Sequence, residues 1–234
     1  MTTLHVLCAG AAQGLVKALQ PQFEADTGAT LQARFGAVGA MKEALLAGEP
    51  CDVMIVTEAM IDALAGDGRL QADTRAALGR VHTGIAVQAG TPRPDVATPD
   101  ALKAALLASS AIYFPDAVRS TAGIHFARVM AQLGILETLQ PRFRTYPAGA
   151  IAMRELAAAQ GLGLIGCTQV TEINYTPGVE LVAVLPPEFE LATVYSAAAF
   201  TDRSPAQTAL AQRFIAMLSG AGSQSLRRDG GFEF

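Results

Sequence analysis

Short apolar and β-branched runs alternate along the chain with longer segments whose apolar side chains recur every three or four positions. The first pattern is typical of buried strands and the second of helices that pack on one face. The predicted strands are Leu4–Cys8, Leu31–Phe35, Val53–Thr57, Gly84–Gln88, Ile112–Phe114, Arg144–Tyr146, Leu162–Gly166, Glu180–Val184 and Thr193–Phe200. The predicted helices are 14–25, 40–47, 58–65, 100–108, 121–133, 150–159 and 205–218. This alternation predicts an α/β fold with parallel strands flanked by helices.

Two helices carry clear local signals. Leu15, Leu19 and Phe23 form one apolar stripe, and Pro21 between them is expected to bend or split the helix. The helix at 100–108 is preceded by Thr98 as a predicted N-cap and by Pro99 in the first helical position.

The order of these elements indicates two α/β domains. A fresh series of strands and helices begins after "GRVHTGIAVQAGTPRPD", and the extended runs at 82–90 and 192–200 are the expected crossings, the second of which leads into a closing helix. We therefore expect one discontinuous domain formed by residues 1–83 and 195–234, and a second formed by 84–194. Two crossing strands would join them and leave a ligand cleft between them.

Composition excludes several classes of protein. Apolar residues make up 51% of the chain and charged residues 16%, which is typical of a folded protein and not of a disordered one. The net charge of −4, the absence of a Lys/Arg run and the absence of Trp argue against nucleic-acid binding. The three cysteines lack metal-ligand spacing and the chain contains no Walker loop or Rossmann fingerprint, so neither a metal nor a cofactor is expected.

The start of the chain bears on its compartment. "MTTLHVLCAG" lacks the charged start and long apolar stretch of a signal peptide, and no apolar run reaches the roughly 18 residues that cross a bilayer. We expect no membrane insertion, and a cytoplasmic location if Met1 is the native start. If Met1 replaces a removed leader, the expected location is periplasmic.

Four loops of small residues each follow a predicted strand and lead into a predicted helix. Helix starts present unpaired N–H groups and the positive end of the helix dipole, which together favour an anion. Ligands of open α/β sheets bind at this edge of the sheet. The residues expected to contact a small anion there are Gly10, Ala11, Ala12, Gly36, Ala37, Val38, Gly39, Arg119, Ser120, Thr121, Ala148, Gly149, Ala150 and Ile151.

Polar side chains near these loops suggest which kind of anion binds. The Arg119 guanidinium could hold a carboxylate through two hydrogen bonds, although a solvated loop arginine fits the sequence equally well. Ser120 or Thr121 could serve as an N-cap, and Thr168 and Gln169 are candidate ligand contacts or ordinary loop residues. Together they favour a small organic carboxylate.

The order of segments resembles the molybdate-binding-like branch of the bacterial extracellular solute-binding proteins. The resemblance spans nearly the whole chain and is carried by "FEADTGATLQARFGAVGAMKEALLAGEPCDVMIVTEAMIDALAGDGRL", "TPDALKAALLASSAIYF", "STAGIHFARVMAQLGI" and "PPEFELATVYSAAAF". It implies a type II periplasmic-binding fold, usually monomeric, whose two domains close over a small anion. An ABC-transporter permease is the implied partner if the protein is exported.

The resemblance departs from the family pattern at two loops. Molybdate binders supply hydroxyl side chains there, whereas this chain has Gly10–Ala11–Ala12 and Ala37–Val38. Molybdate or tungstate binding therefore stays an alternative to carboxylate binding.

The same family includes a catalytic relative, aconitate isomerase, which shifts an allylic proton. Such a reaction requires a base as well as carboxylate anchors. His125, one helical turn after Thr121, and Cys8, at the end of the first strand, are the candidate catalytic residues. Both also fit a packed, structural role, so an isomerase is the alternative to a binding protein.

Overall fold

The computed structural model describes residues 2–234, so Met1, on which the compartment prediction depends, lies outside the described residues. The strands are β1 (Thr3–Ala9), β2 (Thr30–Gly36), β3 (Val53–Thr57), β4 (Ala76–Gln88), β5 (Ala111–Pro115), β6 (Phe143–Tyr146), β7 (Leu164–Gln169), β8 (Val179–Val184) and β9 (Ala192–Ala199). The helices are α1 (Gln13–Thr27), α2 (Val38–Leu46), α3 (Glu58–Gly66), α4 (Pro99–Ala108), α5 (Thr121–Gln132), α6 (Leu136–Leu139), α7 (Gly149–Ala158), α8 (Val170–Asn174), α9 (Pro205–Ser219) and α10 (Gln224–Gly230).

The chain forms two compact units. The first unit contains the residues up to Val81 together with Thr193–Phe234, and the second contains His82–Ala192. The chain therefore leaves the first unit within β4 and returns to it at the start of β9. That the two units are domains that move independently stays a prediction.

In the first unit, β1 lies between β2 and β3, and all three strands run parallel. Strand β9 continues this sheet by pairing antiparallel with β3. Helix α1 packs its buried stripe against α9, where the rings of Phe23 and Phe214 meet edge to face with centroids 4.9 Å apart. Pro21 does not split this helix, because the proline lies on its exposed side while Leu19 and Phe23 are anchored in the core.

In the second unit, β7 lies between β5, which is parallel to it, and β4, which is antiparallel. Strand β6 extends the sheet beyond β5, and β8 also pairs with β4. Apolar side chains cover both faces of this sheet: Ile85, Ile165 and Cys167 pack with α5, while Ala86 and Leu164 pack with α7. Each strand therefore alternates its side chains between an α5 face and an α7 face.

Several elements differ from their predicted limits. Helix α2 begins at Val38, so Gly39 lies within its first turn and not in the preceding loop. Strand β4 begins at Ala76, well before the predicted Gly84, and three short helices, α6, α8 and α10, were not predicted. The predicted cap of α4 is confirmed, because the Thr98 hydroxyl accepts a hydrogen bond from the Ala101 N–H and Pro99 is the first helical residue.

Along the described chain, from residue 2 to 234, no helix has both the length and the apolar character needed to cross a membrane.

Candidate functional site

The parallel strands of the first unit bring three helix starts to one edge of the sheet. Ala9 at the end of β1 is in register with Gly36 at the end of β2, and Cys8 is in register with Ile55 of β3. Each strand then passes into a helix within a few residues. The loops at residues 10–12 and 36–38 are therefore neighbours at the carboxyl edge of this sheet, as the sequence predicts.

Backbone N–H groups dominate the chemistry of this edge. Gly10–Ala12 form a 3₁₀ turn ahead of α1, and Ala37 occupies the N-cap position of α2 with extended backbone angles (φ −64°, ψ 150°). Within residues 2–234, no side chain caps the starts of α1 and α2. Five of the six residues in these two turns are buried, namely Gly10, Ala11, Ala12, Ala37 and Val38, and Gly36 is half-buried. The Gln13 N–H at the start of α1 is bonded to the Gly10 carbonyl, and the other first-turn N–H groups of the two helices have no side-chain acceptor among the described residues.

In the second unit, the loop that follows β5 is shaped by Asp116. Its Oδ1 accepts hydrogen bonds from the N–H groups of Val118, at 2.7 Å, and Arg119, at 3.0 Å. The Arg119 side chain lies at the exposed tip of this loop, whereas Ser120 is buried and occupies the N-cap position of α5. Thr121 is the first helical residue. A predicted capping bond from Ser120 is not formed: among the described residues, no side chain caps this helix.

Gly123 fixes the start of α5 against the end of β5. A Cβ at this position would overlap the carbonyl oxygens of Pro115 and Asp116. Any other residue would therefore push the first turn of α5 away from the strand. The glycine keeps the N–H groups of this helix at the carboxyl end of β5.

The start of α7 is occupied by a carboxylate of the chain itself. The N–H groups of Ala150, at 3.2 Å, and Gly149 donate to the Glu172 carboxylate, and the Ile151 N–H donates to the Ala148 carbonyl at 3.1 Å. The sequence predicts that the amides at residues 148–151 are available to a ligand. That expectation is corrected for Gly149, Ala150 and Ile151, because their N–H groups are already bonded.

Glu172 is deeply buried and receives several hydrogen bonds. The Thr168 hydroxyl donates to its Oε2, and the Gln169 N–H also donates to the carboxylate. Burial raises the pKa of Glu172, and these hydrogen bonds oppose that increase by stabilising the ionised form. Gly149 makes the arrangement possible, since a Cβ there would overlap Thr168 Oγ1 and Glu172 Oε2.

Thr168 and Gln169 are the last two residues of β7 and do not lie in a loop, contrary to the sequence analysis. Thr168 is turned towards α7 and Glu172. Gln169 has the same parity as Ile165 and Cys167 and so belongs to the α5 face. Both its Nε2 and Oε1 are buried without a hydrogen-bond partner among residues 2–234.

The structure also identifies polar residues that the sequence analysis missed. Thr83 of β4 is in register with Gln169, and its buried hydroxyl has no partner within the described chain. Thr171 and Ser196 have buried hydroxyls in the same condition over residues 2–234. The sequence feature that could have indicated Thr83 and Ser196 is a hydroxyl residue inside a largely apolar run, as in "RVHTGIAV" and "TVYSAAAF".

Each candidate base is engaged by a backbone carbonyl of the chain. Burial raises the pKa of the Cys8 thiol strongly, and the Sγ donates to the Ala9 carbonyl at 3.2 Å. The thiolate is therefore disfavoured at neutral pH. His125 Nε2 lies 2.7 Å from the Phe189 carbonyl, so this nitrogen carries a proton and ties α5 to the segment before β9.

The side chains that hold metals do not cluster. Within residues 2–234, no three His, Cys, Asp or Glu side chains come together as ligands for an ion. The groups available to a ligand are hydrogen-bonding groups. In the first unit they are the neighbouring starts of α1 and α2. In the second unit they are the start of α5, the Gln169 amide and the Thr83 hydroxyl, and the last two have no partner among the described residues.

These features, helix starts at the carboxyl edge of α/β sheets and a chain that passes twice between two units, are those of the periplasmic-binding fold. Residues 4–233 match the bacterial extracellular solute-binding protein family, and the chain belongs to this family. The predicted type II periplasmic-binding fold is confirmed by solved structures with the same architecture.

Three known proteins illustrate the range of the similarity. An aconitate isomerase from Pseudomonas sp. is 28% identical over 204 residues, covering 85% of this chain and 76% of the relative. A periplasmic molybdate-binding protein from Azotobacter vinelandii superposes with a TM-score of 0.77 at 18% identity, covering 99% of both chains. The substrate-binding domain of a putative molybdenum ABC transporter from Clostridium difficile gives a TM-score of 0.66 at 15% identity, covering 100% of this chain and 99% of that one.

Proposed function

We propose that this protein binds a small organic carboxylate as a solute-binding protein. The observation that carries the proposal is the register of β1 and β2, which places two uncapped helix starts side by side, with no capping side chain among the described residues. A carboxylate has two oxygens that can accept hydrogen bonds from both starts. The proposed contacts in the first unit are the turns at residues 10–12 and 36–38, with Gly39 behind them.

The same edge is poorly suited to a tetrahedral metal oxyanion. Molybdate presents four oxygens, and the turns at 10–12 and 36–38 contain no hydroxyl side chain. Each missing hydrogen bond to a charged acceptor removes about 1.5–3 kcal/mol of stabilisation. A ligand with fewer acceptor atoms at this edge therefore suits the site better.

For the second unit we propose that Arg119, Ser120 and Thr121 contact the ligand. The α5 start supplies N–H groups held in place by Gly123, and Arg119 lies on the Asp116 turn one residue before the N-cap. A guanidinium at that position can pair with a second carboxylate group of a di- or tricarboxylate.

The proposal is tested by a thermal-shift screen followed by calorimetry. Molybdate, tungstate, sulfate and phosphate are compared with citrate, malate, succinate, malonate, phthalate and the aconitates. Ligand at about a hundred times its dissociation constant adds about 2.7 kcal/mol of stability. We expect carboxylates to raise the melting temperature; a response to molybdate or tungstate alone would contradict the carboxylate proposal.

Replacing Arg119 with alanine should weaken binding of the best carboxylate roughly 10- to 100-fold, because one charge-assisted pair is lost. Arg128→Ala is the matched control, since Arg128 is an exposed arginine of α5, the helix that follows Arg119, and the substitution removes the same charge. Calorimetry on both variants separates a local contact from a general charge effect. Equal affinities for the two variants would remove Arg119 from the site.

Solved structures with the same fold also suggest a partner and a compartment. The Clostridium difficile structure is a substrate-binding domain of an ABC transporter, and the Azotobacter vinelandii protein is periplasmic. We propose by analogy that this protein acts outside the cytoplasm and delivers its ligand to a membrane permease.

A second candidate function is isomerisation of a small unsaturated polycarboxylate, favoured by the 28% identity to aconitate isomerase. Proton NMR of each aconitate isomer with the protein in D₂O tests it directly. Conversion, with deuterium entering the product, supports an enzyme; binding without conversion supports a binding protein. If conversion is seen, Cys8→Ala and His125→Ala should both remain active, because the Cys8 thiol is buried and His125 Nε2 is bonded to the Phe189 carbonyl.

A further inference from the structure

The α5 face of the second unit contains a pair of polar side chains that the fold leaves without partners. Thr83 and Gln169 are directly in register on the antiparallel strands β4 and β7. They are 1% and 2% exposed, and the Thr83 hydroxyl and both ends of the Gln169 amide lack hydrogen-bond partners among residues 2–234. Directly opposed residues of antiparallel strands lie within about 5.5 Å of each other at Cβ.

This pair lies on the same face as the start of α5. Cys167 and Ile85, the next residues of the same parity on each strand, pack with α5 side chains. Gln169 ends β7, and β5, parallel to β7, ends at Pro115 just before the loop that leads to Ser120. The uncapped helix start and the unpartnered amide are thus at the same end of the same face.

The opposite face of β7 shows how the chain treats such a site when no ligand is needed. There the N–H groups at the α7 start, together with the Thr168 hydroxyl, are bonded to Glu172. The chain thus supplies its own acceptor at the α7 start, whereas the α5 start lies beside three polar atoms without partners among the described residues. This difference indicates that the α5 start binds another molecule. Leaving such atoms buried and unbonded costs about 1–3 kcal/mol each.

The hydrogen-bonding capacities of the pair identify the ligand group. Gln169 Nε2 can only donate and Oε1 can only accept, while the Thr83 hydroxyl can do either. A carboxylate or a fully ionised oxyanion has no proton to give to Oε1, and the Thr83 hydroxyl is not bonded to Oε1 in this structure. A ligand hydroxyl donates to Oε1 and accepts from Nε2 or Thr83.

We infer that Thr83 and Gln169 form a subsite for a hydroxyl group, so that the preferred ligand is a hydroxycarboxylate. This inference rests on the proposed function and adds its substrate class: a carboxylate group binds at the α5 start, and a hydroxyl carried by the same ligand binds between Thr83 and Gln169. A site built to pair with a hydroxyl rejects the analogue that lacks it, because its own buried groups then stay unpaired.

Calorimetry with matched ligands tests the inference. Citrate is compared with tricarballylate, and malate with succinate; each pair differs by one hydroxyl. Any other carboxylate that binds is compared with its hydroxylated analogue. We expect the hydroxylated member to bind at least about tenfold tighter. In Thr83→Val and Gln169→Met this preference should fall towards one, with the affinity for the non-hydroxylated member changed less than about threefold.

A stability measurement on the free protein separates a subsite from a structural role. Because the apolar replacements remove unpaired buried groups, both variants should melt about 2–5 °C higher than the unmodified protein without ligand. Thr145→Val, at an exposed position of β6, controls for the threonine-to-valine change and should alter neither property. Lower melting temperatures in both variants would show that the pair holds the fold together and would overturn the inference.

The binding results distinguish the hydroxyl subsite from the proposed binding of a carboxylate. Equal affinity within each ligand pair, or binding only of carboxylates without a hydroxyl, overturns the hydroxyl subsite and leaves carboxylate binding standing. No response to any carboxylate overturns both.

Discussion

Gly149→Ala should lower the free energy of unfolding by about 3 kcal/mol, because the new methyl group enters a filled and fully buried hydrogen-bond cluster. It would lie 2.6 Å from Glu172 Cδ and overlap the oxygens of Glu172 and Thr168. The carboxylate would have to move away from the N–H groups at the α7 start, leaving them and the Thr168 hydroxyl without their acceptor. Urea unfolding followed by circular dichroism measures the change.

Gly66→Ala is the matched control for this substitution. Gly66 is the last residue of α3, and a Cβ there meets no atom of residues 2–234 within 4 Å. Alanine should be neutral there or stabilise the helix by about 0.5 kcal/mol, since glycine has the lower helix propensity. Equal stability of the Gly149 and Gly66 variants would mean that the Glu172 cluster relaxes without losing its bonds.

Ala37→Asp should weaken binding of the anionic ligand roughly 100-fold, because like charges in a shared site repel by several kcal/mol. Ala37 has the extended backbone of an N-cap residue, for which aspartate is among the preferred side chains. The new carboxylate would occupy the N–H groups at the α2 start that we assign to the ligand. The free protein should become about 1 kcal/mol more stable while it loses affinity.

Ala37→Asn separates the charge from the cap. Asparagine caps a helix about as well and has nearly the same size, but it adds no negative charge. We expect a similar gain in stability and a much smaller loss of affinity by calorimetry. Equal affinities for the Asp and Asn variants would place the ligand's charge away from the α2 start.

The strands that the sequence predicts best are bounded by charged residues. The predicted strand Val53–Thr57 has the observed limits of β3. Four apolar residues and Thr57 form this run, and the charged residues Asp52 and Glu58 flank it. The predicted strand Leu162–Gly166 begins and ends earlier than the observed β7. Gly161 and Gly163 have positive φ values (130° and 69°), so the strand begins after them. The polar residues Thr168 and Gln169 continue the buried strand at its other end. Hydrophobicity alone does not detect a buried polar strand end.

The candidate site was predictable only where chemistry is local. Small residues between a strand and a helix indicated the helix starts at 10–12 and 36–38 directly. The occupation of the α7 start could not be foreseen, because Glu172 is 22 residues away from Ala150 and reaches it only through the fold. The pairing of Thr83 with Gln169 depends likewise on the register of two strands far apart in sequence.

The way the chain passes between its units determines the order in which they can form. The second unit is one continuous stretch, His82–Ala192, so all its strands have been synthesised before β9 begins. The first unit needs β9 to extend its sheet, and that strand pairs Ala199 with Val53. Contacts of such long sequence separation form slowly. On the ribosome, the second unit can therefore fold before the sheet of the first unit is complete. A nascent chain that stops before β9 would contain a folded second unit and a first-unit sheet that lacks one strand.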